Sequence, residues 1–593
     1  MNIKKVIISK LKQLLLHKLW MMRLILIQIL FMKKIIFLFI PFFSWGQNQL
    51  FIPDTLSGPF IPLEIKHDHV HFFSGNQTET MGINGPILAP TLILTKGQQV
   101  TMQVTNVLFD TTTIHWHGMH VAPENDGGPH TTIPPFSMWE PSFEVMDHAA
   151  TYWYHPHLHH MTNMHVQMGI AGMIIVRDPE EAAINLPRTY GIDDIPVIIQ
   201  SKGFDSNNQI VVETAMDTTV MVNATLKPLA QLPAQVVRMR LLNGSSERVY
   251  NLGFTNNSSF HIIGGDAGLL NSPVQQTRLK LAPGERAEIL VNLTGLNGQF
   301  IHLISYGSEL ANGIYGAQQP GMGAGQSIPN YTLNPLNGSD FEILEIQVIP
   351  QTTNPITTIP TSLIQNNPWS ELNSNASKTL TFSPQTMGPT AINGPFLINN
   401  TTFNMDIVNY SIPLNNTEIW TLQNNTPIAH PFHIHNVPFY ILDINGTAPP
   451  VELTGRKDVV LVPGGQGTVR FITKFEDFAN PDVPYMYHCH MLTHEDGGMM
   501  GQFIVYDPLS MKKELDNTEL RIFPNPASSL VYFEAENNVK EILIHSIDGK
   551  STVIRAKNPM NALDISNLTD GLYLIEFVLD TGSRILKRIE ILN

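Results

Sequence analysis

The chain has 593 residues, 43% hydrophobic but only 14% charged, with a formal net charge of −15. That length is too great for one core and calls for three or four domains. The acidity excludes a nucleic-acid binder and suits attraction of cations, and a single cysteine, Cys489, excludes any internal disulfide.

Residues 1–46 carry eight Lys or Arg and no Asp or Glu, so the remainder is more acidic still, at −23. From Met32 the chain reads MKKIIFLFIPFFSWGQ. Lys33 and Lys34 precede an apolar run from Ile35 to Phe43, and Ser44-Trp45-Gly46 offers a small-residue exit. This is the pattern of a secretory signal peptide cleaved near Gly46. Residues 1–31 fit no part of it and read as a mis-assigned start. A membrane anchor over residues 20–43 is the rival reading, which Lys33 and Lys34 oppose.

Beyond residue 46, short apolar runs alternate with Asn, Thr, Pro and Gly turn signals, which favours all-β architecture. Three features recur in order. An apolar residue followed by Asn occurs at Ile83-Asn84, Val222-Asn223 and Ile398-Asn399. An alternating run then ends at Asn106, Asn243 and Asn424, respectively 22, 20 and 25 residues on. A Pro-containing turn leading into a strand follows from Ile133, Leu281 and Leu461. The recurrence predicts three copies of one β-sandwich domain, at 47–180, 181–350 and 380–508. A Pro/Thr/Asn-rich linker is expected at 351–379, a charged one at 509–519, and a separate β module at 520–593.

Histidines gather in the first and third copies only. They form His115-Trp116-His117, His155-Pro156-His157, His430-Pro431-Phe432-His433-Ile434-His435 and His488-Cys489-His490, with His494 and Met499 beyond. On a strand, residues two apart face one side, so each His-x-His projects two imidazoles together. Cys489 must then face away from His488 and His490, and His430 away from His433 and His435. Two His, a thiolate and a weak axial Met form an electron-transfer copper set, and imidazole also suits Cu(II) at the remaining eight histidines. Zinc is the rival metal, but it needs no thiolate site joined to an eight-imidazole site. The middle copy has only the isolated His261 and His302, so it reads as a spacer that sets the geometry of the other two.

These four motifs together resemble the three-domain multicopper oxidases, which include copper-efflux oxidases, spore-coat laccases and bilirubin oxidases, over about Leu63 to Pro508. The resemblance implies three cupredoxin-like Greek-key β-sandwiches and four copper ions. By motif, His430, Cys489, His494 and axial Met499 match the type 1 ligands. His115 and His433 match type 2, and His117, His155, His157, His435, His488 and His490 match the type 3 pair. Asp126 and Glu495 sit where the family has acids near the trinuclear cluster, and reducing O2 to water needs a proton source. The implied activity is one-electron oxidation of a phenolic, laccase-type donor or of cuprous ion, coupled to four-electron reduction of O2, by a monomer. No methionine-rich insert separates Ser383 from His430, where only Met387 and Met405 occur. A non-enzymatic periplasmic or surface copper-binding protein is the alternative, motivated by surplus histidines at His120, His130, His148, His159, His160 and His165. His67, His69 and His71 share one side of an exposed strand.

From about Leu520, RIFPNPASSLVYF, EILIHSIDGK and ALDISNLTDGLYLIEF read as short strands joined by turns. Pro524-Asn525-Pro526, Gly549-Lys550, Gly571-Leu572-Tyr573 and the basic Lys587-Arg588 are similar to the type A sorting domain of type IX secretion. That implies engagement of the type IX machinery and a secreted or outer-membrane-surface location.

Overall fold

The computed structural model describes residues 48–508 and 520–592, apart from 214, 324, 387–391, 536–537, 547–550, 556–560 and 581–583. The signal-peptide region, the linker at 509–519 and the turn around Asp548, Gly549 and Lys550 lie outside the described residues. The fold is all-β, as expected. Among the described residues no helix is long and apolar enough to cross a membrane.

The threefold recurrence is a structural repeat. In each copy the strand that opens the sandwich runs parallel to the alternating strand: Phe60–Val70 beside Gln99–Asn106, Asp194–Phe204 beside Val236–Asn243, and Ala376–Pro384 beside Thr417–Asn424. Alternate burial along Gln99–Asn106 sends Val100, Met102 and Val104 into the core, as a half-buried strand requires. The three turn asparagines, Asn84, Asn223 and Asn399, have φ of 57°, 49° and 52°, a left-handed conformation that Asn tolerates. Each side chain reaches back to the opening strand. Asn84 Oδ1 accepts from the Glu64 N–H, Asn223 Oδ1 from that of Ile198, and Asn399 Oδ1 from that of Thr381.

The second set of asparagines closes the next loop. Asn106, Asn243 and Asn424 are fully buried. Each donates from Nδ2 to two carbonyls across the loop, for example Arg248 and Leu281 for Asn243, and accepts from the backbone two residues on. The recurring Asn is thus the residue that satisfies buried backbone groups where the strand ends.

The first and third copies each pair two five-stranded sheets, and the middle copy pairs an eight-stranded with a six-stranded sheet. Each encloses a large apolar core. The third copy opens at Ala376, inside the stretch expected to be linker. The rest of that stretch is packed: Ile356, Ile359, Leu363 and Ile364 cover the middle copy, and Asn366 donates to Leu269 O. The C-terminal module has a three-stranded and a four-stranded sheet around a core of its own.

In both outer copies two histidine-bearing strands are neighbours. His115–His117 pairs with Ala150–His155, placing His115 opposite His155. His430–Ile434 pairs with Asn480–Cys489, placing His433 opposite His488 and Phe432 opposite Cys489. Two adjacent strands therefore deliver their imidazoles to one side of each sheet.

Candidate metal centre

Eight histidines from the two outer copies meet in one buried space. His115 stacks on His435 at 3.9 Å between ring centroids, and His117 on His433 at 3.7 Å. Ligand atoms converge in threes within 4.8 Å of one another: His117, His155 and His490; His157, His435 and His488; and His115, His433 and His435. Every one of these rings is buried.

The outer nitrogen of most rings faces a group that can only accept, which settles the tautomer. Nδ1–H donates to a backbone carbonyl at His115 (Asp126 O, 2.9 Å), His155 (Pro156 O, 2.8 Å), His433 (Asp458 O, 2.9 Å) and His488 (Cys489 O, 3.0 Å). At His435 it donates to Asp126 Oδ2, 2.7 Å away. Each of these rings then turns a bare Nε2 inward. His117 is reversed: Nε2–H donates to Asp458 Oδ1 at 3.1 Å and Nδ1 faces inward. The inward atoms crowd together, with His155 Nε2 3.4 Å and His490 Nε2 3.2 Å from His117 Nδ1, and His157 Nε2 3.1 Å from His488 Nε2. His115, His433 and His435 each leave Nε2 buried without a partner. Burial and neighbouring imidazoles push the pKa of His117, His155, His157, His433 and His488 well below 6.5, and burial first of all takes His435 to about 4 and His490 to about 3. Neutral rings that aim lone pairs at one another satisfy no hydrogen bond, but they fit cations, and an all-imidazole donor set fits copper.

Cys489 faces the opposite side of its strand. Its Sγ lies 3.4 Å from His430 Nδ1 and 3.6 Å from His494 Nδ1. His494 Nε2–H donates to Asn393 Oδ1, and Thr426 Oγ1 accepts from His430 Nε2. His430 therefore points away from His433 and His435, as strand parity requires. Met499 is buried in the same core, and its carbonyl accepts from the Cys489 N–H. Burial pushes the Cys489 thiol up, so forming a thiolate here needs a cation alongside it.

Two acids border the histidine set. Despite burial, His435 and His115 hold the Asp126 carboxyl well below the usual carboxylate range. Glu495, only 1% exposed, lies 3.4 Å from His157 Nδ1 and 3.2 Å from His488 Nδ1. Burial, and then Asp496, pushes its carboxyl well above the usual carboxylate range, which favours the protonated form. Three of the six surplus histidines fasten the outer copies together. His120 donates to Asn436 O, His130 faces Gln502 Oε1, and His160 donates to Asp496 O.

Sequence reasoning missed Asp458 and Arg286, through which the middle copy, expected only to set the geometry of the outer two, reaches the site. Arg286 binds both oxygens of Asp458, at 2.6 and 2.5 Å. A Cβ at Gly284 (φ +82°) would lie 2.9 Å from the His490 ring, so the middle copy closes against the site only with glycine there. A lone Arg and a lone Asp, 172 positions apart, carry no local sequence signal.

Multicopper oxidase family models match residues 64–181, 151–321 and 371–508, and a secretion system C-terminal sorting domain matches 521–591. Multicopper oxidase mco of Staphylococcus haemolyticus is 31% identical, covering 78% of this chain and 93% of that protein. Cell division protein FtsP of Sodalis glossinidius is 31% identical over 75% of this chain and 88% of its own length. Among solved structures, a bacterial laccase-like multicopper oxidase, CueO of Ochrobactrum sp., superposes with a TM-score of 0.68 at 30% identity, over 77% of this chain and all of that one. The shared length, the fold and the two convergent ligand sets agree: the chain belongs to the multicopper oxidase family, an oxidoreductase with a sorting domain at its C-terminal end.

Proposed function

We propose that the protein couples one-electron oxidation of a small donor to four-electron reduction of O2 to water. The observation that carries this reading is the strand ending at Cys489, from whose two sides a Cys–His–His group and the histidine trios converge. We assign His430, Cys489 and His494, together with Met499, as the residues that would hold a type 1 copper, and His115 and His433 as those that would hold a type 2 copper. His117, His155 and His490, with His157, His435 and His488, are assigned to a type 3 pair, for four coppers in all. Copper bound there would supply electron uptake at the thiolate set and oxygen reduction at the histidine set.

The chain supplies the remainder. Cys489 is bonded through the backbone to His488 and His490, giving a continuous covalent link between the sets. Asp126 orients His115 and His435. Glu495 holds a proton beside His157 and His488 and acts as the general acid for water formation. Next to it in the chain, Asp496, whose carboxyl burial raises to about 6, accepts from the N–H groups of Thr162 and Asn163, and its backbone carbonyl accepts from the exposed His160.

A phenolic donor is supported by a cleft of about 1010 Å³ between the second and third copies, walled by Lys280, Ile314, Met322, Leu461 and Ala429, the neighbour of His430. The Ochrobactrum enzyme is described as active on lignin model compounds. Cuprous ion is the competing donor, approaching at His494, which is 3% exposed. The sorting domain supports type IX export to the surface or medium after passage across the inner membrane on a signal peptide, and we take the protein as a monomer with domain boundaries near 180, 350 and 508.

The FtsP relatives favour a second reading, a non-enzymatic surface protein. A copper count, blue absorbance and oxygen uptake with phenols and Cu(I) separate the two. The wild type should hold four coppers and consume O2, and Cys489→Ser should lose both the blue band and donor oxidation. Copper binding without oxygen uptake on any donor would support the second reading.

A further inference from the structure

The histidine set contains one reversed ring, and the cause is a residue outside every ligand motif. A carboxylate can only accept, so Asp458 Oδ1 at 3.1 Å obliges His117 to carry its proton on Nε2 and to offer Nδ1. The Asp458 backbone carbonyl does the opposite for His433, fixing its proton on Nδ1. One residue thus sets the tautomer of two stacked rings, and its carboxylate lies within 4.8 Å of a ring nitrogen of each.

Asp458 is itself held from the middle copy. Arg286 spends all five of its N–H donors: Nε on Thr151 O, Nη1 on Gly284 O and Asp458 Oδ1, and Nη2 on Asp266 O and Asp458 Oδ2. Asp266 also accepts from the Arg286, Asp458 and Val459 N–H groups and pairs with Lys457 Nζ at 2.9 Å. A Cβ at Gly118 (φ +86°), beside His117, would come within 2.4 Å of Asp458 Oδ2 and 2.7 Å of Arg286 Nη2, so no larger residue fits between ring and clamp.

We infer that Asp458, clamped by Arg286, is a positioning residue for the trinuclear set, selecting the nitrogen that His117 offers and the plane of His117 and His433. The middle copy is then a working part of the metal centre. The inference rests on the four-copper assignment proposed above. Fixing a ligand's tautomer and orientation typically changes metal affinity about 10- to 100-fold.

The test uses full-length protein titrated with limiting Cu(II) salt. It compares wild type, Asp458→Asn and Arg286→Lys by copper per chain, blue absorbance and the electron paramagnetic resonance signal of non-blue copper. Asp458→Asn should keep the blue band at Cys489 while copper at the histidine set falls about 10-fold or more. Arg286→Lys, which reaches one carboxylate oxygen instead of two, should fall between. Full non-blue copper in both variants, or equal loss from both sites, would overturn the inference. A wild type without blue copper would instead sink the four-copper assignment. Should Asp458→Asn not fold, the ratio of the two copper signals in Arg286→Lys decides.

Discussion

Glu495 shows how burial alone changes the chemistry of a side chain. In sequence it is one acid in a charged turn after His494; in the fold it is 1% exposed and sits against two imidazoles. Desolvation shifts it toward its neutral form, and a neutral carboxyl is the form that donates. Glu495→Gln keeps the shape and removes the proton. Oxygen uptake should fall about 100- to 10,000-fold, the range of general-acid contributions, with copper content and the blue band unchanged. A variant that turns over normally would show that protons arrive by another route. The lone thiol follows similar logic: buried Cys489 resists ionisation until a cation joins it, which ties its conspicuous place between two histidines to metal uptake.

The strand is the element that makes two sites out of one motif. Its period of two sends Cys489 one way and His488 and His490 the other, and the pairing of His433 with His488 carries that separation to the neighbouring strand. The strands are held in turn by their terminal asparagines. Asn243→Ala would leave the Arg248 and Leu281 carbonyls and the Ser245 N–H without partners. At about 1–3 kcal/mol for each buried polar group left unpaired, and with some relaxation, the loss should be near 3 kcal/mol. Thermal or urea unfolding of the metal-free protein measures it. A change below about 0.5 kcal/mol, the scale of an ordinary surface substitution, would mean that the recurring Asn is not what holds the loop.

At the scale of the whole molecule, the metal-free protein stores an acid sensitivity. Nine imidazoles, His117, His155, His157, His430, His433, His435, His488, His490 and His494, have folded pKa values depressed chiefly by burial. Below about pH 6.5 the unfolded chain takes up protons that the native state refuses, so stability falls as pH falls. Each such group contributes up to about 1.4 kcal/mol per pH unit. Three acting fully would remove about 4 kcal/mol by pH 5.5, a large part of a domain's stability. The metal-free melting temperature should therefore drop steeply between pH 6.5 and 5.5. Copper loading should shift that drop to lower pH, because ligands bound to metal compete with protons. A melting temperature flat across this range would argue against nine buried neutral rings.

The sequence by itself determined the all-β class, the threefold recurrence and the identity of every histidine and cysteine in the two sets. These are local facts: turn asparagines lie at fixed offsets, and strand parity decides the side a residue takes. Only the tertiary structure decided which motifs share a space. His115 and His435 stack across a domain boundary, Asp458 meets Arg286 of the middle copy, and the surplus His120, His130 and His160 join the outer copies. Nothing in a strand's period specifies how separate sandwiches dock. That docking is set by complementary surfaces built from residues far apart in the chain, and it alone excludes water from Glu495 and selects the nitrogen that His117 presents.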